Sequence, residues 1–247
     1  MEFSPRVEAY SEDAAHLGEM LGLFRTECVD YLEGRHRVRE GGYDNAKGWV
    51  RTLDDGRYCL TQFPHGHAET LRSLMSQQPA DVAQAPRVGD RPLRPAKALN
   101  FVGFLGRRSD QAAQLMAQAD KLVDDLMVLM CDQPDVLLYG TAGWSPEDSN
   151  HYNLVVLRNE EAGQKWKEGE LHMREAINNL SPKYYTTVRI HTGVLPDGLD
   201  SKEFLLKRSV FLDYRAHQKD PNAPIQREVK LWENLPASSV EGDDRNQ

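Results

Sequence analysis

The first part of the chain alternates between helical and strand-like spacing of its apolar residues. One apolar stripe at helical spacing predicts a helix over residues 12–33. Two short alternating segments, residues 49–53 and 57–63, flank the sequence Asp-Asp-Gly at residues 54–56. Because that tripeptide favours a tight turn, the two segments are expected to form a β-hairpin. A second helix is expected over residues 66–76.

The stretch that follows is rich in turn-forming residues. Residues 79–97 contain four prolines among polar and small residues, which is typical of a linker. The chain is therefore expected to comprise a first half (1–78), this linker, and a second half (98–235). A polar tail at 236–247 is expected to be disordered.

The second half repeats the pattern of the first more completely. The spacing of its apolar residues predicts a strand, a helix, two strands, a helix and a strand, at residues 99–105, 110–130, 136–144, 151–157, 160–180 and 184–195. A further strand is expected at 209–214. The order β-α-β-β-α-β is that of a ferredoxin-like fold.

The expected fold class is therefore α+β, with duplicated ferredoxin-like halves. Corresponding elements of the two halves lie at a nearly constant offset along the chain, as a duplication produces. One face of such a sheet packs on helices, and the other face has to be covered. Two halves, or the two subunits of a homodimer, could bring their free faces together as a dimeric-α/β-barrel-like chamber. A small-molecule substrate would bind there.

The strand at residues 184–195 carries the first candidate site. Side chains alternate between the two faces of a strand. The face expected to pack on helices carries Thr186, Val188, Ile190 and Val194. The opposite face, expected to line the chamber, carries Tyr185, Thr187, Arg189 and His191. A functional site and a set of solvated or hydrogen-bonded polar residues are equally consistent with this pattern.

The preceding helix carries the second candidate site. Gly169 lies in the middle of an apolar stripe, where it leaves space that a side chain would fill. His172 lies beside that gap, with Met173 adjacent and Trp166 two turns earlier. A bulky planar cofactor would require such a gap beside a histidine. A close helix–strand contact next to a surface histidine is the alternative.

The two candidate segments resemble a known family. NLVVLRNEEAGQKWKEGELHMREA and, more faintly, GGYDNAKGWVRTLDDG are similar to segments of the haem-containing aldoxime dehydratases, relatives of the chlorite dismutases and antibiotic monooxygenases. The resemblance implies a haem b held by His172 as the proximal iron ligand, with Trp166 nearby. It implies that His191 is a distal acid–base group, aided by Arg189 or Thr187. The reaction would be that of a lyase dehydrating an N-hydroxylated small molecule such as an aldoxime.

Two other functions fit the same residues. A cofactor-free enzyme of the antibiotic-monooxygenase or polyketide-cyclase kind would act on an aromatic metabolite, with His191, Arg189 and Tyr185 as acid–base groups. A non-catalytic ligand-binding or assembly protein would bury the same strand face. In that protein, partners such as carboxylates across an interface would neutralise His191 and Arg189.

The composition of the chain limits the kinds of partner and compartment that are expected. The net charge of −8 argues against a nucleic acid or an anionic membrane as the main partner. No apolar run approaches the roughly 20 residues of a membrane span. The three cysteines show no CxxC spacing, which favours buried thiols in a reducing compartment, so a cytoplasmic protein is expected. His65 and His67 could chelate a metal, but no further ligand lies at a recognisable spacing.

Overall fold

The computed structural model describes residues 7–33, 35, 39–40, 46–52, 58–64, 87–88, 91–92, 98–131, 133, 135–143, 150–169 and 171–232. Within these residues the chain is an α+β protein with one nine-stranded antiparallel sheet and a separate two-stranded one. Helices cover both faces of the large sheet.

The elements have the following bounds. The helices are α1 (Val7–Leu32), α2 (Ala112–Cys131), α3 (Glu160–Glu168), a π-helix (His172–Leu180), α4 (Ser181–Tyr184), a 3₁₀ turn (Gly198–Asp200) and α5 (Arg215–Lys219). The strands are β1 (Arg39–Glu40), β2 (Ala46–Thr52), β3 (Tyr58–Pro64), β4 (Arg87–Val88), β5 (Arg91–Pro92), β6 (Leu99–Arg108), β7 (Val136–Gly143), β8 (Asn150–Leu157), β9 (Tyr185–Leu195), β10 (Leu205–Asp213) and β11 (Gln226–Leu231).

The second half follows the order of elements expected from the sequence. The strand, helix, two strands, helical segment and strand are β6, α2, β7, β8, α3 to α4, and β9. In the sheet these strands lie in the order β7-β8-β6-β9, so the first and last strands of the unit are neighbours. The expected extra strand is β10, and β11, which the sequence pattern did not indicate, pairs with it.

The two halves do not form two facing sheets in the described residues. The expected hairpin is present as β2 and β3, but β3 pairs with β7, so both halves contribute to one sheet. Pairing satisfies the backbone groups that β7 would otherwise expose at a sheet edge. The face expected to line a chamber is covered instead by α1, and the chamber prediction is corrected accordingly.

Helix α1 packs on the sheet through an apolar stripe. Its buried residues Leu17, Met20, Leu21, Phe24 and Cys28 form one core with side chains of β6, β8 and β9. Gly103 of β6 permits this close contact, because a Cβ atom at that position would lie 2.7 Å from Leu17 Cδ2. The helix therefore lies directly on the strand that pairs with β9.

The opposite face packs on α2, the π-helix and α4. Its core includes Ala112 and Leu122 of α2, Leu180 and Tyr184 of the following helices, and Val188 of β9. Odd-numbered residues of β9 beyond Val188 therefore face α1, and even-numbered ones face α2. This division decides which candidate residues can share a site.

The helix expected over residues 160–180 is not continuous. Helix α3 ends at Glu168, and a π-helix with wider turns begins at His172. Because that change alters the period, the expected stripe is not kept: Gly169 is half-buried and Met173 is 37% exposed. Trp166 lies in α3, and its side chain lies outside the described residues.

Other predictions fall on undescribed residues. The helix expected over 66–76, the histidines at 65 and 67, and the tail at 236–247 all lie outside the described residues. Of the expected linker at 79–97, the structure describes the short hairpin of β4 and β5. The limits of the expected halves stay predictions.

Candidate functional site

A buried carboxylate joins α1 to β9. Asp13 is fully buried, and its two carboxylate oxygens each accept a 2.6 Å hydrogen bond from the Arg189 guanidinium. Oδ2 also lies 2.8 Å from Nε2 of His191, whose residue is 3% exposed. The bidentate geometry is the strong form of an arginine–carboxylate pair.

The hydrogen-bond chain continues into the neighbouring strand. Nδ1 of His191 lies 2.7 Å from Oγ of Ser209, to which the indole Nε1–H of Trp232 donates at 2.8 Å. Since the Asp13 carboxylate is an acceptor, Nε2 of His191 carries a proton. In the neutral imidazole, Nδ1 then accepts the Ser209 hydroxyl proton.

A hydrogen-bonded chain of aspartate, histidine and serine is the arrangement used in nucleophilic catalysis. Here the chain Asp13–His191–Ser209 is buried and connects α1 to β9 and β10, which we call a structural clamp. In catalysis the histidine takes a proton from an accessible serine. Here Ser209 is 3% exposed, and the charge of Asp13 is matched by Arg189. The non-catalytic alternative expects a carboxylate partner for Arg189 and His191, and Asp13 forms an ion pair with the first and a hydrogen bond with the second. This carboxylate comes from α1 of the same chain instead of a second subunit.

The four candidate residues of β9 do not share one face. Thr187, Arg189 and His191 alternate regularly and lie on the α1 side. Tyr185 lies on the other side, in the core with Tyr184 and Val188, and the prediction that it joins His191 is wrong. The cause is a β-bulge: Thr187 pairs with Arg107 and Tyr185 with Arg108, so Thr186 is an extra residue.

Tyr185 is part of a second polar group, under the helices. Its hydroxyl lies 2.8 Å from Nδ1 of His151 on β8. Phe104 and Tyr184 enclose the phenol ring at centroid distances of 5.3 and 4.8 Å. Gly106 leaves room for the ring, because a Cβ atom there would lie 2.5 Å from Tyr185 Cε1.

Two buried polar atoms lie beside this pair. Arg108 is the cross-strand neighbour of Tyr185, and Asn153 is that of Phe104. Arg108 Nε and Asn153 Oδ1 are both buried, and Arg108 Nε has no hydrogen-bond partner within the described part of the chain. The Asn153 side chain lies close enough to the His151 ring to raise its pKa through a hydrogen bond. Since buried polar atoms are nearly always paired, the open Arg108 donor calls for an explanation.

Both members of the His151–Tyr185 pair are neutral near pH 7. Burial, and then the positive charge of Arg108, lower the pKa of His151 from 6.5 to about 4. A hydrogen bond with the Asn153 side chain opposes this lowering of the pKa with a smaller effect. Burial raises the pKa of Tyr185 well above 10.0. A base this weak and an acid this weak are poorly matched to proton transfer at neutral pH. The pair is suited to forming hydrogen bonds with a ligand.

The two histidines of the expected haem site lie on opposite sides of the sheet. Leu171, just before His172, and Ala176, four positions after it, pack on the core that contains Val188. His191 instead contacts Asp13 on the α1 face. Both ring nitrogens of His191 are also hydrogen-bonded. These residues do not fit a haem held between His172 and His191, because the sheet separates them.

Metal and membrane features can be assessed for the described residues. Within them, no group of three or more histidine, cysteine, aspartate or glutamate side chains is placed to hold a metal ion. None of the helices described is both long and apolar enough to cross a membrane.

Comparison with known proteins gives no relative. No protein-family model matches the chain, and neither a curated protein nor a solved structure matches it. The resemblance to the aldoxime dehydratases therefore stays a prediction.

Two sequence signals could have identified the residues that were overlooked. Asp13 lies four positions before Leu17 on the apolar stripe of α1, where a carboxylate is expected only with a buried partner. His151 and Asn153 precede Val155 and Leu157 on the same face of β8, so two polar residues extend a face that is buried further along the strand. Ser209 carried no comparable signal.

Proposed function

We propose that the chain binds a small aromatic molecule with an anionic or carbonyl oxygen, in the layer between the sheet and the helices. The buried Nε–H donor of Arg108, which has no partner among the described residues, carries this proposal. A ligand oxygen would accept a hydrogen bond from Arg108 Nε. Phe104 and the His151–Tyr185 pair would border its ring.

The same site supports a binding function better than proton-transfer chemistry. His151 and Tyr185 both stay neutral at physiological pH, so they would orient a ligand through hydrogen bonds. A cofactor-free enzyme at this site would need a group with a pKa closer to neutrality. We therefore favour the ligand-binding alternative over the enzyme that acts on an aromatic metabolite.

Isothermal titration with salicylate tests the proposal. Salicylate carries an aromatic ring, a carboxylate for Arg108 and a hydroxyl. We expect saturable binding that Arg108→Gln weakens at least about tenfold, since a hydrogen bond to a charged group contributes about 1.5–3 kcal/mol. Tyr185→Phe, which removes the hydroxyl from the pair, is expected to weaken binding less.

Arg107→Gln is the matched control. Arg107 precedes Arg108 in the same strand, but its side chain is exposed. It should leave the affinity unchanged. The binding proposal is wrong if salicylate, benzoate and phenol all fail to saturate the protein, or if the two arginine variants weaken binding equally.

The haem-dependent lyase is a separate proposal with one supporting feature. His172 begins a π-helix, and π-helical turns are frequent at functional sites. A hemin titration of the wild type, His172→Ala and His191→Ala tests it. Binding by His172 predicts a sharp, saturable Soret band that is lost in His172→Ala and unchanged in His191→Ala. A broad band that never saturates in any of the three would exclude the haem site.

We also propose that the first half is a reduced copy of the ferredoxin-like second half. Its helix α1 and hairpin β2–β3 follow the order of α2 and β7–β8. An experimental structure that traces residues 1–6 and 65–86 tests this. A strand before α1 and a helix after β3 would support the duplication, and their absence would exclude it.

A further inference from the structure

Strand β11 is the last strand in the order of the large sheet. In the strand order, β11 pairs with β10 and has no second neighbour among the described strands. An unpaired edge presents a row of backbone donors and acceptors that another strand can use. The edge of β11 therefore offers a binding surface for an extended segment.

Exposed apolar residues follow one face of this edge strand. Leu231 is 73% exposed and Val229 is 41% exposed, and both lie on the face that carries Arg227. Ile225, just before the strand, is 37% exposed. The other face of the strand carries Glu228 and Lys230. An edge strand with exposed apolar residues is typical of an interaction surface.

The charges of β11 are complementary to those of a second copy in one antiparallel register. If two copies pair with Val229 opposite Val229, then Glu228 of each lies opposite Lys230 of the other. In the same register Arg227 lies opposite Leu231, whose apolar surface its methylene groups can cover. Shifting the centre to Glu228 or to Lys230 places like charges opposite each other.

We propose that the chain forms a homodimer by antiparallel pairing of two β11 strands centred on Val229. The pairing joins the two large sheets into one continuous sheet and creates two Glu228–Lys230 pairs. A six-residue strand pair buries less than the roughly 1,000 Å² of a stable interface, so the dimer is weak and depends on concentration.

Sedimentation velocity over a concentration series tests the dimer. The wild type is expected to shift from monomer to dimer as its concentration rises. Glu228→Lys places lysines opposite each other, and Lys230→Glu places glutamates opposite each other, so each variant alone should dimerise at least about tenfold more weakly. An equimolar mixture of the two variants restores both opposite-charge pairs and should dimerise again.

The mixture also separates the interface from an effect on folding. Nζ of Lys230 lies 3.8 Å from the centroid of the Trp232 ring, so substitution of Lys230 also removes a cation–π contact. A misfolded variant would not regain dimerisation on mixing. Lys219→Glu, an exposed change in α5, is the control and should behave as the wild type. A wild-type chain that is monomeric at every concentration, or a mixture that stays monomeric, would overturn the proposal.

Discussion

Asp13 and His191 lie 178 positions apart in the chain, and their side chains are 2.8 Å apart in the core. This contact fixes the first helix to strand β9. Arg189 adds two hydrogen bonds to the same carboxylate. The face that was expected to bind a substrate is therefore closed by a helix of the same chain.

Asp13→Asn is expected to lower the free energy of unfolding by about 3 kcal/mol. The substitution keeps the shape of the side chain but leaves the charge of Arg189 without a counter-ion, and breaking a buried pair from one side costs about 3–5 kcal/mol. The lower end applies because the Arg189 side chain is 24% exposed. Urea denaturation monitored by circular dichroism measures the change.

The control for Asp13→Asn is Glu19→Gln. Glu19 lies on the exposed side of the same helix, so its neutralisation should change stability by no more than about 0.5 kcal/mol. The double variant Asp13→Asn/Arg189→Met should be more stable than Asp13→Asn, since no unmatched charge is left. Equal losses in Asp13→Asn and Glu19→Gln would show that the carboxylate does not hold α1 in place.

Gly103→Ala is expected to destabilise the protein by about 1–3 kcal/mol, because an added Cβ would overlap with the Leu17 side chain that covers it. Leu17→Ala removes the overlapping atoms. The cost of Gly103→Ala should therefore be smaller in a Leu17→Ala background, which a double-mutant cycle in urea measures.

Gly22→Ala is the matched control for Gly103→Ala. Gly22 is exposed on α1, and a Cβ atom there meets nothing within 4 Å. Alanine should stabilise that helix by up to about 1 kcal/mol. If Gly103→Ala and Gly22→Ala both stabilised or both destabilised the protein, the close contact between α1 and β6 would not explain the effect of Gly103→Ala.

Periodicity predicted the regular elements and failed where the backbone departs from a regular period. Helix α2 and strands β6, β8 and β9 lie close to their expected residues because their apolar residues recur at the spacing of one buried face. The face of Tyr185 was assigned wrongly, since a single extra residue at Thr186 reverses the alternation before it. A bulge has no signature in hydrophobic spacing.

The partners of the polar residues could not be predicted from spacing either. The functional importance of Arg189 and His191 was inferred from their shared face, and that sharing is observed. Their neutralisation by Asp13 depends on where α1 packs, which is a long-range property of the fold. Strand β11 was overlooked for a different reason. One face of this edge strand is exposed and the half-buried face carries Glu228 and Lys230, so it lacks a buried apolar side.

Ser209 is expected not to react with a fluorophosphonate probe under native conditions. Its hydroxyl is hydrogen-bonded to both His191 and Trp232, and the residue is buried. Mass spectrometry of the probe-treated protein measures labelling, with Ser209→Ala as the control. Stoichiometric labelling that is lost in Ser209→Ala would assign a nucleophilic function to the Asp13–His191–Ser209 chain and contradict its interpretation as a clamp.

The stability of the protein is expected to fall between pH 6.5 and pH 4 because of His151. The pKa of this imidazole is lowered to about 4 in the folded chain, against 6.5 in the unfolded chain. In that window the unfolded state binds the proton and the folded state does not, so acidification favours unfolding by about 3 kcal/mol over the full range. Well above pH 6.5 His151 is neutral in both states and contributes no pH dependence.

His151→Gln isolates this contribution, because glutamine retains a polar side chain but does not titrate. Between about pH 7 and about pH 5, wild type should lose about 2 kcal/mol more unfolding free energy than the variant. Urea denaturation of both proteins at the two pH values gives the difference. Equal losses would mean that the imidazole is protonated as readily in the folded chain as in the unfolded one. The ring would then be solvated, and the enclosed ligand site beside Tyr185 would be ruled out.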